Sequence, residues 1–236
     1  MQNKKSLLKR LLAIYVTFFI VLVASFAHGI IPSFTRGAAE GVEMGNDIAE
    51  KWNSGVPHMI YLLNDIRIVA QPDGSLPIET PTASIKARVR NLELLVEEEA
   101  PGRSPLALAL RSIGGSVWIY LLVMLTPLLM LAIIVLMFVI IHSLRRSIRE
   151  ERPLDRRNVR YLRMIGFLTI ATELLEDLLG WIMNTRAAEL LAGTGYSVDT
   201  SFHVSYTLII MGILILFAAE VFAVGQNLSE EQKLTI

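Results

Sequence analysis

Residues 117–141 read VWIYLLVMLTPLLMLAIIVLMFVII, 25 residues without a formal charge. As a helix rising about 1.5 Å per residue, this run outreaches a hydrocarbon core of roughly 30 Å. It therefore reads as a membrane span, and Pro127 inside it predicts a kink or a tilt. The next stretch, HSLRRSIREERPLDRRNVRYLR (142–163), holds Arg145, Arg146, Arg149, Arg152, Arg156, Arg157, Arg160 and Arg163, eight arginines against three acids. Short basic connections stay in the cytoplasm, so this loop marks the inner face.

Three further spans lie around this pair. Residues 11–31 form an uncharged run of 21, preceded by Lys4, Lys5, Lys9 and Arg10 with no acid among them. Residues 206–224 form an apolar run broken only by Glu220. Residues 164–183 carry Glu173, Glu176 and Asp177 and make the weakest span. The basic ledger puts the N-terminus and the arginine loop inside, and four spans return the C-terminus inside as well. Trp118, Tyr120, Trp181 and Tyr206 then fall at the outer interface as an aromatic belt. Lys4 to Arg10 followed by Ser25-Phe26-Ala27 also resembles a cleavable signal peptide, but the apolar run continues past Ala27, which favours an uncleaved first helix.

The composition agrees: 53% of the 236 residues are hydrophobic, only 19% are charged, and the mean hydropathy is +0.51. A formal charge of zero gives no nucleic-acid signal. The absence of cysteine excludes disulfides, a thiolate nucleophile and Cys-based metal sites. The expected fold class is all-α membrane, with four transmembrane helices and a small α+β extracytoplasmic insertion between helices 1 and 2. The expected divisions are 1–31, 32–115 and 116–236.

The outer segment, 32–115, has 84 residues with eight basic and eleven acidic side chains. Residues 34–52 read as an amphipathic helix in which Gly37, Gly41 and Gly45 share a face, either a close-approach surface or a loosened helix. HMIYLLNDIRIVA (58–70) is rich in β-formers and ends at the turn signal Gln71-Pro72-Asp73-Gly74. SIKARVRNLELLV (84–96) begins with alternation, and Glu97-Glu98-Glu99-Ala100-Pro101-Gly102 is expected to end it. Residues 105–113 read as a short helix feeding the second span. With so few aromatics the segment cannot bury a large core alone, so it is expected to pack on the membrane helices or on another copy.

Glu173, Glu176 and Asp177 stand at i, i+3 and i+4 and share one helix face. An ionised carboxylate at bilayer depth costs at least about 2.5–3.5 kcal/mol, so these acids face protein or water. With Glu220, placed at a depth similar to that of Glu173, they form a candidate intramembrane polar cluster. Its readings are an interhelical lock and a proton or cation path. Thr169, Thr172, Thr126, Asn184, Arg186 and the basic residues of the outer segment are candidate partners. His28 and His203 fall near the outer surface, where interfacial histidines are ordinary and a bis-imidazole haem is the remote alternative. No HExxH, GxSxG, GxGxxG, P-loop or Cys/His motif is present, so no catalytic residue, metal ligand or cofactor is expected. The arginines of the inner loop read as topogenic charges that touch anionic lipid, or as a docking surface for an acidic partner.

Pro153-Leu154-Asp155 with Asn158-Val159-Arg160-Tyr161-Leu162-Arg163-Met164-Ile165-Gly166, and Glu220-Val221-Phe222, Gly225, Leu228 and Glu230 to Ile236, carry a resemblance. Together they resemble the bacterial membrane family known as domain of unknown function 2975, best over spans two to four. Leu154 stands where that family has Phe, and Ala223-Val224 where it often has basic residues. The resemblance implies a multi-pass protein of the bacterial cytoplasmic membrane with no assigned activity. It also implies a small cytoplasmic helix-turn-helix regulator as partner.

The functional expectation is a non-enzymatic sensor or regulatory partner, docking through the arginine loop. It would contact the bilayer and no nucleic acid directly, and would form a homo-oligomer where the outer segment packs on another copy. The alternatives are an oligomeric ion, proton or solute transport component using the intramembrane carboxylates, and a structural or immunity-type envelope protein.

Overall fold

The computed structural model describes residues 2–53, 55, 58–70, 76–79, 84–87, 90–100, 104–149 and 156–234. The turn at 71–74, Arg152 and the 153–155 part of the family pattern lie outside them, as do Thr235 and Ile236. In chain order the elements are α1 (Gln2–Ser25), a π turn (Phe26–Ile30), α2 (Ile31–Asn53), β1 (His58–Ala70), β2 (Leu76–Glu79), β3 (Ser84–Ala87), β4 (Asn91–Glu99), α3 (Pro105–Ala109), α4 (Val117–Arg149), α5 (Arg156–Leu190), β5 (Ser197–Val198) and α6 (Tyr206–Leu234). Among the described residues three stretches are long and apolar enough to cross a membrane: Leu12–Gly29, Val117–Ser147 and Tyr206–Gln226. Glu173, Glu176 and Asp177 set α5 apart from them.

The helix does not end at the outer boundary expected near residue 31. It runs on through the π turn, where the Ile31 N–H reaches back to the Phe26 carbonyl. Pro32 has no N–H to give to the preceding turn, and the widened turn absorbs that gap without breaking the helix.

The chain divides into two compact units. One comprises 1–42, 128–173 and 205–236. In it the rings of Tyr15 and Phe18 meet Phe138 edge to face, at centroid separations of 6.3 and 5.4 Å. The α5–α6 contact is tightest at a pair of glycines: a Cβ on Gly166 would lie 2.9 Å from the Gly212 carbonyl oxygen, and one on Gly212 would lie 2.5 Å from Ile170 Cγ1. Two side-chain-free positions let the helix backbones approach, as small residues do in membrane bundles.

The other unit comprises 43–127 and 174–204. Its sheet has the order β4-β1-β5, antiparallel throughout, and β2-β3 form a separate hairpin. β1 is kinked by an irregularity between Leu63 and Ile66, where Asp65 has a φ of +55°. A short polar residue tolerates that left-handed backbone better than the apolar residues around it would. The extra residue switches parity along the strand, so Met59, Tyr61 and Leu63 and then Ile66 and Ile68 are all buried. They share one core with Leu108, Ile119 of α4, and Leu179, Met183 and Ala187 of α5. The insertion therefore packs on helix ends of its own chain, which answers its shortage of aromatics.

β4 does not stop at Glu97. It continues to Glu99 because its alternation persists, with Leu92, Leu94, Val96 and Glu98 on the half-buried face. A Cβ on Gly37, Gly41 or Gly45 would meet nothing within 4 Å, so that glycine face makes no close approach among the described residues.

Candidate functional site

The arginine-bearing ends of α4 and α5 and the C-terminal half of α6 belong to one unit, and the chemistry converges there. Arg145 and Arg146 are exposed on α4, as are Arg156, Arg157 and Arg160 on the first turns of α5. Arg149 lies on α4, and its side chain is not among those described. Between these helix ends lies a cavity of about 70 Å³. Ile140 and Leu144 of α4, Val159 and Leu162 of α5 and Phe222 of α6 form its apolar walls, and Asn158 and Gln226 complete it.

Asn158 is 7% exposed, and neither its amide oxygen nor its amide nitrogen has a hydrogen-bond partner among the described residues. A buried amide group left unpaired costs about 1–3 kcal/mol. Helix propensity does not compensate, because Asn is a weak helix former. Gln226, also 7% exposed, does make an interaction.

Near this cavity Arg163 of α5 and Glu220 of α6 form a two-point ion pair. Nε donates to Oε1 at 2.7 Å and a terminal nitrogen donates to Oε2 at 2.9 Å. A guanidinium fork on a carboxylate is the most favourable geometry for such a pair. It explains how an acid sits inside an apolar helix: its charge is matched by an arginine reaching from α5.

This changes the expected acid cluster. Arg163 precedes Glu173 by ten residues, or about 15 Å of helix rise, so Glu220 is engaged well away from Glu173. Glu173 is buried at 5% exposure, Glu176 is exposed and Asp177 is half-buried. Both Glu176 and Asp177 have interaction partners. The Thr169 and Thr172 hydroxyls donate to the Ile165 and Leu168 carbonyls of their own helix, at 2.9 and 2.8 Å. Their single protons are thereby used locally.

Asn184 and Arg186 serve the sheet unit. Asn184 Oδ1 accepts from the Arg67 backbone N–H at 2.7 Å, tying α5 to β1. An Arg186 terminal nitrogen donates to the Tyr61 hydroxyl at 3.2 Å, and its guanidinium lies 5.1 Å from the Tyr61 ring centre. The same hydroxyl donates to Glu98 Oε1 at 2.7 Å. Burial, and then the Glu98 carboxylate, push the Tyr61 phenol above its ordinary pKa. Gly115, at φ +68°, leaves room here, since a Cβ on it would lie 3.1 Å from the Tyr61 ring. At the edge of the unit Lys51 pairs with Glu97, with His58 Nε2 at 3.7 Å, and the lysine holds that carboxyl below its usual range.

His203 makes local contacts with Ser201 and with Asp199. No group of three or more His, Asp or Glu is placed to hold a metal among the described residues.

Sequence reasoning missed the Asn158 cavity, the Arg163–Glu220 pair and the Tyr61 network. The one available signal was an amide residue near the start of α5 and another on α6, Asn158 and Gln226, within otherwise apolar or basic surroundings.

A family model described as protein of unknown function, DUF2975, matches residues 82–236, well over half of the chain. No curated protein and no solved structure matches.

Proposed function

The chain belongs to the DUF2975 family of proteins of unknown function, and from that premise we propose a non-enzymatic, four-span membrane protein whose arginine-bearing inner face docks an acidic partner. One observation carries the span count: Ser197–Val198, from the α5–α6 connection, pairs with β1 of the insertion that precedes α4. Segments of one sheet lie on one side of a bilayer. α4 leaves that side through the apolar stretch Val117–Ser147, and α5 ends on it. On this reading α5 recrosses as the fourth span despite its acids.

The positive-inside rule then places Arg145 to Arg163 in the cytoplasm and the sheet outside. α5 is one continuous helix of 35 residues, with Asn158 and Arg160 near its start and Asn184 and Arg186 near its end. Its outer end is held by the sheet through Tyr61 and the Arg67 amide. A ligand or envelope state that shifts the sheet thus acts on the helix that carries the inner arginines. That arrangement supports the regulatory reading over a purely structural one.

The test is capture of cytoplasmic proteins by the full chain in native membranes. The unsubstituted protein should enrich an acidic partner, and Arg145→Glu, Arg146→Glu, Arg156→Glu and Arg157→Glu together should lose it. Identical captures from the two proteins would end the docking reading.

A further inference from the structure

We propose that the outer edge of β4 is a strand-addition site, taking an extended segment of a partner protein in which basic residues alternate along one face. The site lies wholly within the sheet unit, and its failure would leave the inner docking surface untouched.

Bonds at two places fix the direction of the backbone groups. The Leu62 N–H donates to the Ser112 carbonyl at 3.0 Å, and the Leu62 carbonyl accepts from the Gly114 N–H at 2.9 Å. Both groups of Leu62 thus turn away from its β4 partner, Leu95. In an antiparallel ladder the groups of such a partner turn away as well. Farther along, the Arg90 carbonyl accepts from the Ile68 N–H at 2.7 Å, so the even-numbered residues of this stretch face β1. The N–H and C=O groups of Glu93, Leu95 and Glu97 therefore point to the far side of β4. β4 ends the sheet order, and no strand among the described residues pairs with that side. An antiparallel strand laid there gains the row of hydrogen bonds that a sheet edge offers.

The side chains decide which strand fits. Asn91, Glu93, Leu95, Glu97 and Glu99 share the exposed face of β4, with Leu95 63% exposed among the acids. Glu97 is engaged by Lys51, and Glu98, on the other face, by Tyr61. Glu93 and Glu99 have no partner among the described residues. A second copy is a poor occupant. Antiparallel pairing of β4 with itself about Leu95 sets Glu93 against Glu97, and like charges directly opposite are destabilising. A segment with an aliphatic residue opposite Leu95 and Lys or Arg opposite Glu93 and Glu99 satisfies both the hydrogen bonds and the charge.

The experiment uses the full chain in phosphatidylcholine nanodiscs. The probe is a fluorescent peptide with a central valine, lysines two and four residues to either side of it, and threonines between. Methylating the backbone nitrogens of the valine and one neighbouring lysine removes two N–H groups that face β4, and should weaken binding about tenfold. Methylating two threonine nitrogens, which face away, should leave it nearly unchanged. Leu95→Pro removes an outward N–H and none that β1 uses, and should weaken the unmodified peptide about fivefold. Glu93→Lys with Glu99→Lys should weaken it too, and should reverse the preference between this peptide and its glutamate counterpart. Circular dichroism and melting confirm that each variant is folded. The charge reversal, which leaves the backbone alone, carries the test should Leu95→Pro unfold.

Equal losses from the two methylation patterns would reduce the contact to charge alone and overturn strand addition. Absence of peptide binding would overturn it as well. Disulfide formation in high yield between Leu95→Cys protomers in native membranes would place a second copy on the edge and overturn the proposal in favour of self-pairing.

Discussion

Arg163 and Glu220 hold α5 to α6 through parallel contacts of 2.7 and 2.9 Å, although both side chains are substantially exposed. In water such a pair would contribute little. Beside a helix as apolar as α6, each charge is tolerable chiefly because the other is present. Arg163→Leu and Glu220→Leu should each lower the melting temperature in nanodiscs by several degrees. The double substitution should recover much of that loss. A double variant no better than the sum of the singles would show that the side chains act independently.

The Gly166–Gly212 approach is a second joint between the same helices. A Cβ on Gly166 would meet the Gly212 carbonyl oxygen at 2.9 Å and Leu216 Cγ at 2.8 Å, and the carbonyl is backbone that cannot turn aside. Gly166→Ala should therefore cost about 1–3 kcal/mol through overpacking. Gly180, on the same helix, has nothing within 4 Å of its added Cβ among the described residues. Gly180→Ala should be neutral or stabilising by up to about 1 kcal/mol. Thermal unfolding of the two variants side by side separates the packing effect from helix propensity, and equal behaviour would remove the close approach as its cause.

The Tyr61 hydroxyl is shared between Glu98 and Arg186 inside the sheet core. Tyr61→Phe keeps the ring and its contact with the guanidinium but leaves both partners without the hydroxyl. It should cost about 1–3 kcal/mol. Chemical denaturation followed at the tryptophans checks it, and an unchanged midpoint would mean that solvent replaces the hydroxyl at no cost.

The helices were legible because a long uncharged run in one chain has few other solutions, and β1 because its branched and aromatic residues crowd both sides of Asn64-Asp65. β5 was not legible: Ser197 and Val198 sit in a Gly- and Thr-rich connection and become a strand only because β1 has an edge at Ile68 to Ala70. Glu220 was not legible for a related reason. Counting residues from each interface gave it a depth similar to that of Glu173, whereas its partner is Arg163, ten residues, or about 15 Å of helix rise, nearer the start of α5. Asn158 carried no periodic signal, since one amide among arginines reads as solvated until three helices close over it.

Titration should act on the sheet unit from both ends of the pH scale. Lys51 lowers the Glu97 carboxyl, and hydrogen bonds from the Ser201 hydroxyl and amide lower that of Asp199. Groups depressed in the folded state contribute stability above their unfolded values, here 4.5 and 3.8, and lose it as the pH falls through the lower folded values. Tyr61 is raised, so its contribution is complete below its ordinary value of 10.0 and disappears as the pH rises through the higher folded one. Melting temperature should be flat between these limits, drop below about pH 4.5 and drop again above about pH 10. Lys51→Met should flatten the acid limb, and an unaltered limb would assign the acid sensitivity to other carboxylates.

The recrossing of α5 can be tested directly, because the chain has no cysteine of its own. Asn91 on β4, Ser197 on β5 and Arg160 on the first turns of α5 are all exposed. With α5 as a span, a membrane-impermeant maleimide applied to intact cells should modify Asn91→Cys and Ser197→Cys. Arg160→Cys should react only after permeabilisation. The discriminating case is Ser197→Cys: the β1–β5 pairing requires it to behave like Asn91→Cys, whatever the absolute orientation. Were Ser197→Cys to react together with Arg160→Cys instead, α5 would lie on one side of the bilayer. The sheet would then lose its third strand, and the inner docking surface would lose its link to the sheet.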